Sequence, residues 1–148
     1  MIISDGEALT GLYFENEKLP ENRYEERELA VFDETRRWLD IYFGGGIPDF
    51  VPAIKLSGSD FQLAVWELLR DIPYGKTTTY GELAAIIAQK KGIAKMSAQA
   101  VGGAVGKNPV SIIIPCHRVV GKNGALVGYA GGIDKKIELL NIEKELFA

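Results

Sequence analysis

The sequence has almost none of the residues that build disulfides and metal sites. It holds one cysteine, Cys116, and one histidine, His117, side by side. A single cysteine forms no internal disulfide and has no resolving thiol beside it. A structural zinc site takes four Cys/His ligands, which this chain does not supply. No carboxylate pattern suggests magnesium or calcium, so neither a metal nor a cofactor is expected. Long hydrophobic runs are absent too. No apolar stretch approaches the ~18–20 residues that span a bilayer, so no membrane partner is expected. The opening residues, Met1-Ile2-Ile3-Ser4-Asp5-Gly6-Glu7, lack the basic and apolar regions of a secretion signal. That points to a cytoplasmic location.

What is present is an ordinary globular composition. The 148 residues are 47% hydrophobic and 25% charged. That suffices for one domain, or for a small lobe plus a compact domain, to bury a core unaided. The net charge of −3 argues against nucleic acid, but it is unevenly divided: residues 1–60 carry −7 and residues 61–148 carry +4. A basic half suggests a working face toward phosphates, although a merely solvated basic surface gives the same pattern.

Patterning predicts a mixed α/β (α+β) chain with a boundary near Ser57-Gly58. Residues 1–57 read as a small α/β lobe with a short sheet. A hairpin is expected in 1–23, its clearest strand at 8–14. A helix is expected over 24–43, from the spacing of Leu29, Phe32, Thr35, Leu39 and Tyr42, and Gly44-Gly45-Gly46 ends it. Residues 58–148 read as mainly helical. Ser59 and Gln62 form a capping box for the first helix. Thr79 and Glu82 form another, opening a helix to about Ala88. A basic connector over 89–95 leads to a third helix, capped by Ser97 and running to about Val105. The last two resemble a helix-turn-helix with a long connector, or two ordinary packed helices. Val110-Ser111-Ile112-Ile113-Ile114 is expected as a short strand or extended segment, buried on both sides, delivering Pro115-Cys116-His117-Arg118. Asn123-Gly124 marks a turn. Gly128–Gly132 is a glycine-rich loop around Tyr129. A last helix is expected over Lys135–Leu146, capped by Asp134.

The chemistry centres on Cys116 and His117. Thiolate is the reactive form of cysteine, and an imidazole raises its fraction by taking the proton directly or through water. The imidazole in turn needs a partner, commonly a carboxylate, to fix its tautomer. Adjacency is an obstacle, because neighbouring side chains on a strand point to opposite faces. The pair cooperates only if the backbone turns there, which Pro115 favours. The plainer alternative is a small buried cysteine beside a satisfied histidine.

Residues 108–119, Asn108-Pro109-Val110-Ser111-Ile112-Ile113-Ile114-Pro115-Cys116-His117-Arg118-Val119, resemble the active-site signature of the O6-alkylguanine-DNA alkyltransferases. A Pro-Cys-His-Arg match arises by chance in roughly one chain per thousand of this length. The resemblance extends over about residues 59–146. It includes Phe61-Gln62, Val65-Trp66, Pro73-Tyr74-Gly75-Lys76, Thr79-Tyr80, Ala100-Val101-Gly102, Gly128-Tyr129-Ala130-Gly131-Gly132, Lys136, Leu139-Leu140 and Glu143. Residues 1–57 resemble the family's variable N-terminal lobe only loosely.

The resemblance implies stoichiometric, irreversible transfer of the alkyl group of O6-alkylguanine, and of O4-alkylthymine, in double-stranded DNA. Cys116 would be the acceptor, His117 the base through a bound water, and Glu143 the carboxylate orienting His117. Asn108 would brace the turn before the active-site segment. Tyr80 would rotate the target phosphate and donate toward guanine N3. Tyr129 and the backbone around Ala130 would wall the base pocket, with Val119 on its floor. Arg118 would either touch DNA or form an ordinary salt bridge. The second helix of the pair would enter the minor groove, where small Ala98 and Gly102 allow close approach. The protein would act as a monomer. One departure stands out: Gln99 occupies the place where the family commonly has an arginine that fills the space of the flipped base.

Three other readings compete. An alkyl-damage sensor binds lesions without efficient transfer, but such proteins usually replace the acceptor cysteine with tryptophan. A cysteine hydrolase needs an oxyanion hole that no residue here identifies. A transcription factor would dimerise and read sequence.

Overall fold

The structure, a computed structural model, describes residues 1–145. Strands β1 (Ile2–Ser4) and β2 (Leu9–Leu12) pair antiparallel as the expected hairpin. Its turn is closed by Asp5 Oδ1, which accepts from the backbone N–H groups of Glu7 and Ala8 at 3.0 and 2.9 Å. The strand expected over 8–14 is shorter, and the backbone of Leu9 and Leu12 also bonds outside the hairpin. Leu9 N–H donates to Ala53 O, and Leu12 N–H donates to Pro109 O at 2.8 Å. The second contact stitches the N-terminal hairpin to the segment that carries Cys116.

Helix α1 spans Ala30–Phe43, six residues shorter at its start than the spacing predicts. Residues 24–28 are exposed and offer no apolar face, so no tertiary burial offsets the cost of extending the helix there. Leu29 is extended and caps nothing with its side chain. The buried stripe is Val31, Thr35, Trp38 and Tyr42. Thr35 is accommodated because its hydroxyl donates to Val31 O at 2.7 Å.

Helix α2 (Asp60–Arg70) begins with the reciprocal Ser59–Gln62 capping box. Helix α3 (Tyr80–Lys91) is capped by Thr79, but the Glu82 carboxylate accepts from the Thr78 hydroxyl instead of closing the second half of a box. It runs three residues past Ala88 and stops at Gly92, whose φ of +67° favours glycine. The connector to α4 (Ala98–Gly106) is therefore 92–97, not 89–95. Ser97 caps α4 as expected. Helices α2, α3 and α4 pack together around Val65, Trp66, Leu69, Leu83, Ile87 and Val101. The Trp66 indole N–H donates to Ala104 O at 2.8 Å, so the ring is buried without an orphaned donor. Leu9, Leu12 and Val31 join the same cluster, so the core is continuous across residue 57.

Two short strands were not foreseen. β3 (Thr78–Thr79) pairs parallel with β4 (Val119–Val120). Helix α5 (Ile133–Glu145) starts two residues early, with Asp134 inside its first turn and not at the cap. Leu146, assigned by spacing to this helix, lies outside the described residues. Among the described residues no helix is long and apolar enough to cross a membrane.

The principal correction concerns 110–114. These residues form a compact turn and no strand, with only Val110 bridging to Leu12. Ile114 N–H donates to Val110 O and Ile113 N–H to Ser111 O, and Ile112 adopts a φ of +71°. A β-branched residue there is strained, and it is held because Ile112 is buried against Trp38, Tyr42 and Leu139. The apolar run signals burial, which a turn satisfies as well as a strand does.

Candidate active site

Asn108 builds the turn from within. Its Oδ1 accepts from Val110 N–H at 3.0 Å, and its Nδ2 donates to Ile114 O at 2.8 Å and Val110 O at 3.3 Å. One buried side chain thus replaces the ladder bonds that a strand would have supplied. The chain leaves this turn through Pro115 into a single 3-10 turn, Cys116–Arg118. Successive side chains on such a turn are about 120° apart, not opposed as on a strand. The obstacle of adjacency is removed by the local backbone.

His117 is fully buried, and its Nε2 meets Glu143 Oε2. Glu143, on α5, is itself buried and gathers further donors. Arg118 Nε donates to Oε1 at 2.7 Å, the Tyr42 hydroxyl to Oε2 at 2.6 Å, and Gly75 N–H to Oε1 at 3.0 Å. Burial alone would raise the carboxyl group, but the bonds from His117, Arg118 and Tyr42 outweigh it and hold it down at about 2. Glu143 is ionised throughout the physiological range. Burial pushes the His117 imidazole below its ordinary value, so it is neutral. With the carboxylate accepting at Nε2, the proton belongs on that nitrogen and Nδ1 is the basic one. Among the described residues Nδ1 has no hydrogen-bond partner.

Cys116 is buried, and desolvation pushes its thiol up to about 11, against smaller opposing effects from Asn108 and Lys136. It lines a cavity of about 180 Å³ together with Tyr80, Val105, Asn108, Tyr129 and Ala130. The Tyr80 hydroxyl donates to Val127 O at 3.3 Å, and burial raises its pKa, so it remains a phenol. Tyr80 and Gly102 also border a wider groove of about 740 Å³, flanked by Ala98, Gln99, Lys122 and Asn123. The cavity and the groove therefore share a wall, formed where the start of α3 faces α4.

One expected DNA contact and one expected pocket residue lie elsewhere. Arg118 is buried beneath the site, bonded to Glu143 and, through Nη1, to Ile72 O at 2.7 Å. It takes the salt-bridge alternative, because a guanidinium beside a buried carboxylate has no reason to reach solvent. Val119 is not at the cavity floor; it is fully buried in β4, where it pairs with Thr78. Sequence reasoning missed Tyr42, which reads as one more apolar position of α1. It also missed Val105 as a cavity residue. Lys136 is fully buried, its Nζ donating to the carbonyls of Val127 and Gly128 at 2.8 and 3.2 Å. A lysine within a charged helix gives no sign of this.

A buried single thiol, an imidazole held by a saturated carboxylate and an adjoining groove along a helix pair suit a cysteine nucleophile set beside a binding surface. Residues 60–145 match the family model for the 6-O-methylguanine DNA methyltransferase, DNA binding domain. The chain is 45% identical over 148 residues to the methylated-DNA–protein-cysteine methyltransferase of Haemophilus influenzae, covering 97% of this chain and 79% of that one. It is 41% identical over 147 residues to the protein of the same name from Methanosarcina acetivorans, covering 97% and 90%. The crystal structure of Mycobacterium tuberculosis OGT in complex with DNA superposes with a TM-score of 0.85 at 39% identity, covering 98% of this chain and 86% of that one. The chain belongs to the methylated-DNA–protein-cysteine methyltransferase family.

Proposed function

We propose that this protein repairs DNA by moving the alkyl group of O6-alkylguanine, and of O4-alkylthymine, onto Cys116, once per molecule. The observation that carries the reading is that the single thiol lines a cavity of about 180 Å³ and is followed in the chain by an imidazole whose tautomer Glu143 fixes. In this reading the lesion base is flipped into the cavity, at a cost of a few kcal/mol that a poorly paired base reduces. The thiol proton passes through water to His117 Nδ1. The sulfur forms a bond to the alkyl carbon while the carbon–O6 bond breaks, and the electron pair leaves with the guanine. Tyr80, kept as a phenol, donates toward N3 and eases the departure of that charge. Neutral His117 becomes imidazolium, stabilised by Glu143. A thioether remains, and no second thiol is present to reverse it.

The DNA lies in the groove along α4, with the helix in the minor groove. Gly103 and Gly106 support this, because a Cβ at either would meet nothing within 4 Å. Glycine inside a helix costs roughly 0.5–1 kcal/mol against alanine. Internal packing does not require it at these positions, whereas close approach of a partner does. Tyr129 and Ala130 wall the base, and Gln99 fills the space that the flipped base leaves. Residues 1–57 serve as a lobe bracing residues 58–148, and the protein acts as a monomer.

A duplex oligonucleotide carrying O6-methylguanine tests the proposal. The expected outcome is one methyl group on the peptide containing Cys116, saturating at one equivalent by intact mass. Multiple turnovers, or no gain in mass, would overturn it. Retention of the unreacted lesion without mass gain would favour the damage sensor.

A further inference from the structure

The loop 128–132, which walls the cavity, is gripped from outside by a segment far away in sequence. The Phe14 ring meets the Tyr129 ring edge-on, with centroids 6.0 Å apart. It also lies close against Gly131: a Cβ added there would sit 2.6 Å from Phe14 Cδ2. Asn16 Nδ2 donates to Gly131 O at 3.1 Å, and Lys135 Nζ ties the two together, donating to Asn16 Oδ1 at 2.9 Å and lying 5.1 Å from the Phe14 ring centroid. The segment holds its own shape, since Phe14 N–H donates to Glu17 Oε1 and Glu17 N–H to Phe14 O. The gripped loop is bounded by glycines of positive φ, Gly128 at +60° and Gly132 at +105°. Between them lie Tyr129 and Ala130, which line the cavity.

We infer that Phe14 and Asn16 form a latch that sets the width of the base pocket and hence the size of alkyl group accepted. The inference rests on the alkyl-transfer reading. The two glycines allow the loop to swing outward. The latch opposes this by placing an aromatic ring and a side-chain amide directly behind the residues that face the base. Phe14 and Asn16 lie outside the stretch 60–145 matched by the family model, so this control of lesion size comes from the N-terminal lobe. The close approach also explains why position 131 carries no side chain.

The test compares Phe14→Ala and Asn16→Ala with the wild type in single-turnover transfer. One duplex carries O6-methylguanine and the other O6-benzylguanine. Freeing the loop disorders the wall for the small lesion and makes room for the large one. Transfer of methyl should fall about fivefold or more while transfer of benzyl holds, so the benzyl-to-methyl ratio rises at least about threefold. A merely structural role would lower both rates together. Asn16 is exposed, so its variant keeps the fold and decides the matter if Phe14→Ala does not. Amides 128–132 should also exchange faster in Asn16→Ala while those of α2–α4 do not change. A wild type that transfers both groups, with variants whose ratio is unchanged, overturns the latch alone. A wild type that gains no alkyl group overturns the function proposed above.

Discussion

The Tyr42 hydroxyl donates to Glu143 Oε2 at 2.6 Å, the same oxygen that His117 uses. The donor comes from α1, so the N-terminal part of the chain completes the hydrogen bonding of the carboxylate behind the base. Tyr42→Phe removes that donor and leaves the ring stacked on Trp38. Losing one bond to a buried charged group should cost about 1–3 kcal/mol in urea denaturation. Alkyl transfer should slow by about three- to tenfold, since Glu143 then holds His117 less firmly. Wild-type stability and rate together would show the hydroxyl to be idle.

The pH dependence of transfer follows from His117. A base works only when unprotonated, and burial holds this imidazole below its ordinary value of 6.5. The single-turnover rate should therefore be level at neutral pH and start to fall only below 6.5. Glu143, ionised down to about 2, adds no second step in that range. A rate that already halves between pH 7.5 and 6.5 would count against this.

Acid stability tests the same cluster from the other side. The folded carboxyl of Glu143 is lowered from 4.5 to about 2, so its contribution is complete above 4.5 and is lost as the pH falls toward 2. The lowered imidazole acts in the same direction below 6.5. Unfolding free energies measured from pH 7 to 3 should decline, most steeply below 4.5. A flat profile would mean the carboxyl is no more acidic folded than unfolded.

Gln99 is exposed on α4 at the edge of the groove. Gln99→Arg adds a cation where a phosphate backbone would pass, so duplex affinity should rise several-fold at low salt and the gain should shrink as salt increases. The reaction of Cys116 with a free O6-alkylguanine base should not change. Equal affinities for DNA would show that position 99 is not limiting.

Local signals in the sequence were accurate where one side chain decides the backbone. Ser59, Thr79 and Ser97 each announce a helix start, and each accepts the expected N–H. The carboxylate that the resemblance pairs with His117, Glu143, lies against its Nε2. Signals failed where distant residues decide. Val110–Ile114 has the composition of a strand, but the amide of Asn108 satisfies the carbonyls of a turn instead. Residues 24–28 continue a helical spacing but are exposed and find nothing to pack against. Tyr42, Lys136 and Phe14 look like a stripe residue, a surface charge and a strand end, and their roles arise from partners 100 or more residues away or from a loop with no periodic pattern.

The single histidine has its Nε2 committed to Glu143 and its Nδ1 unengaged among the described residues. This makes the protein its own spectroscopic gauge. One imidazole means one pair of ring nitrogen resonances, readable in a ¹⁵N spectrum without assignment. Nε2 should show the shift of a protonated nitrogen and Nδ1 that of an unprotonated one. Any event at the neighbouring thiol would register as a displacement of that lone pair of signals, and the tautomer can be followed in real time on unmodified protein.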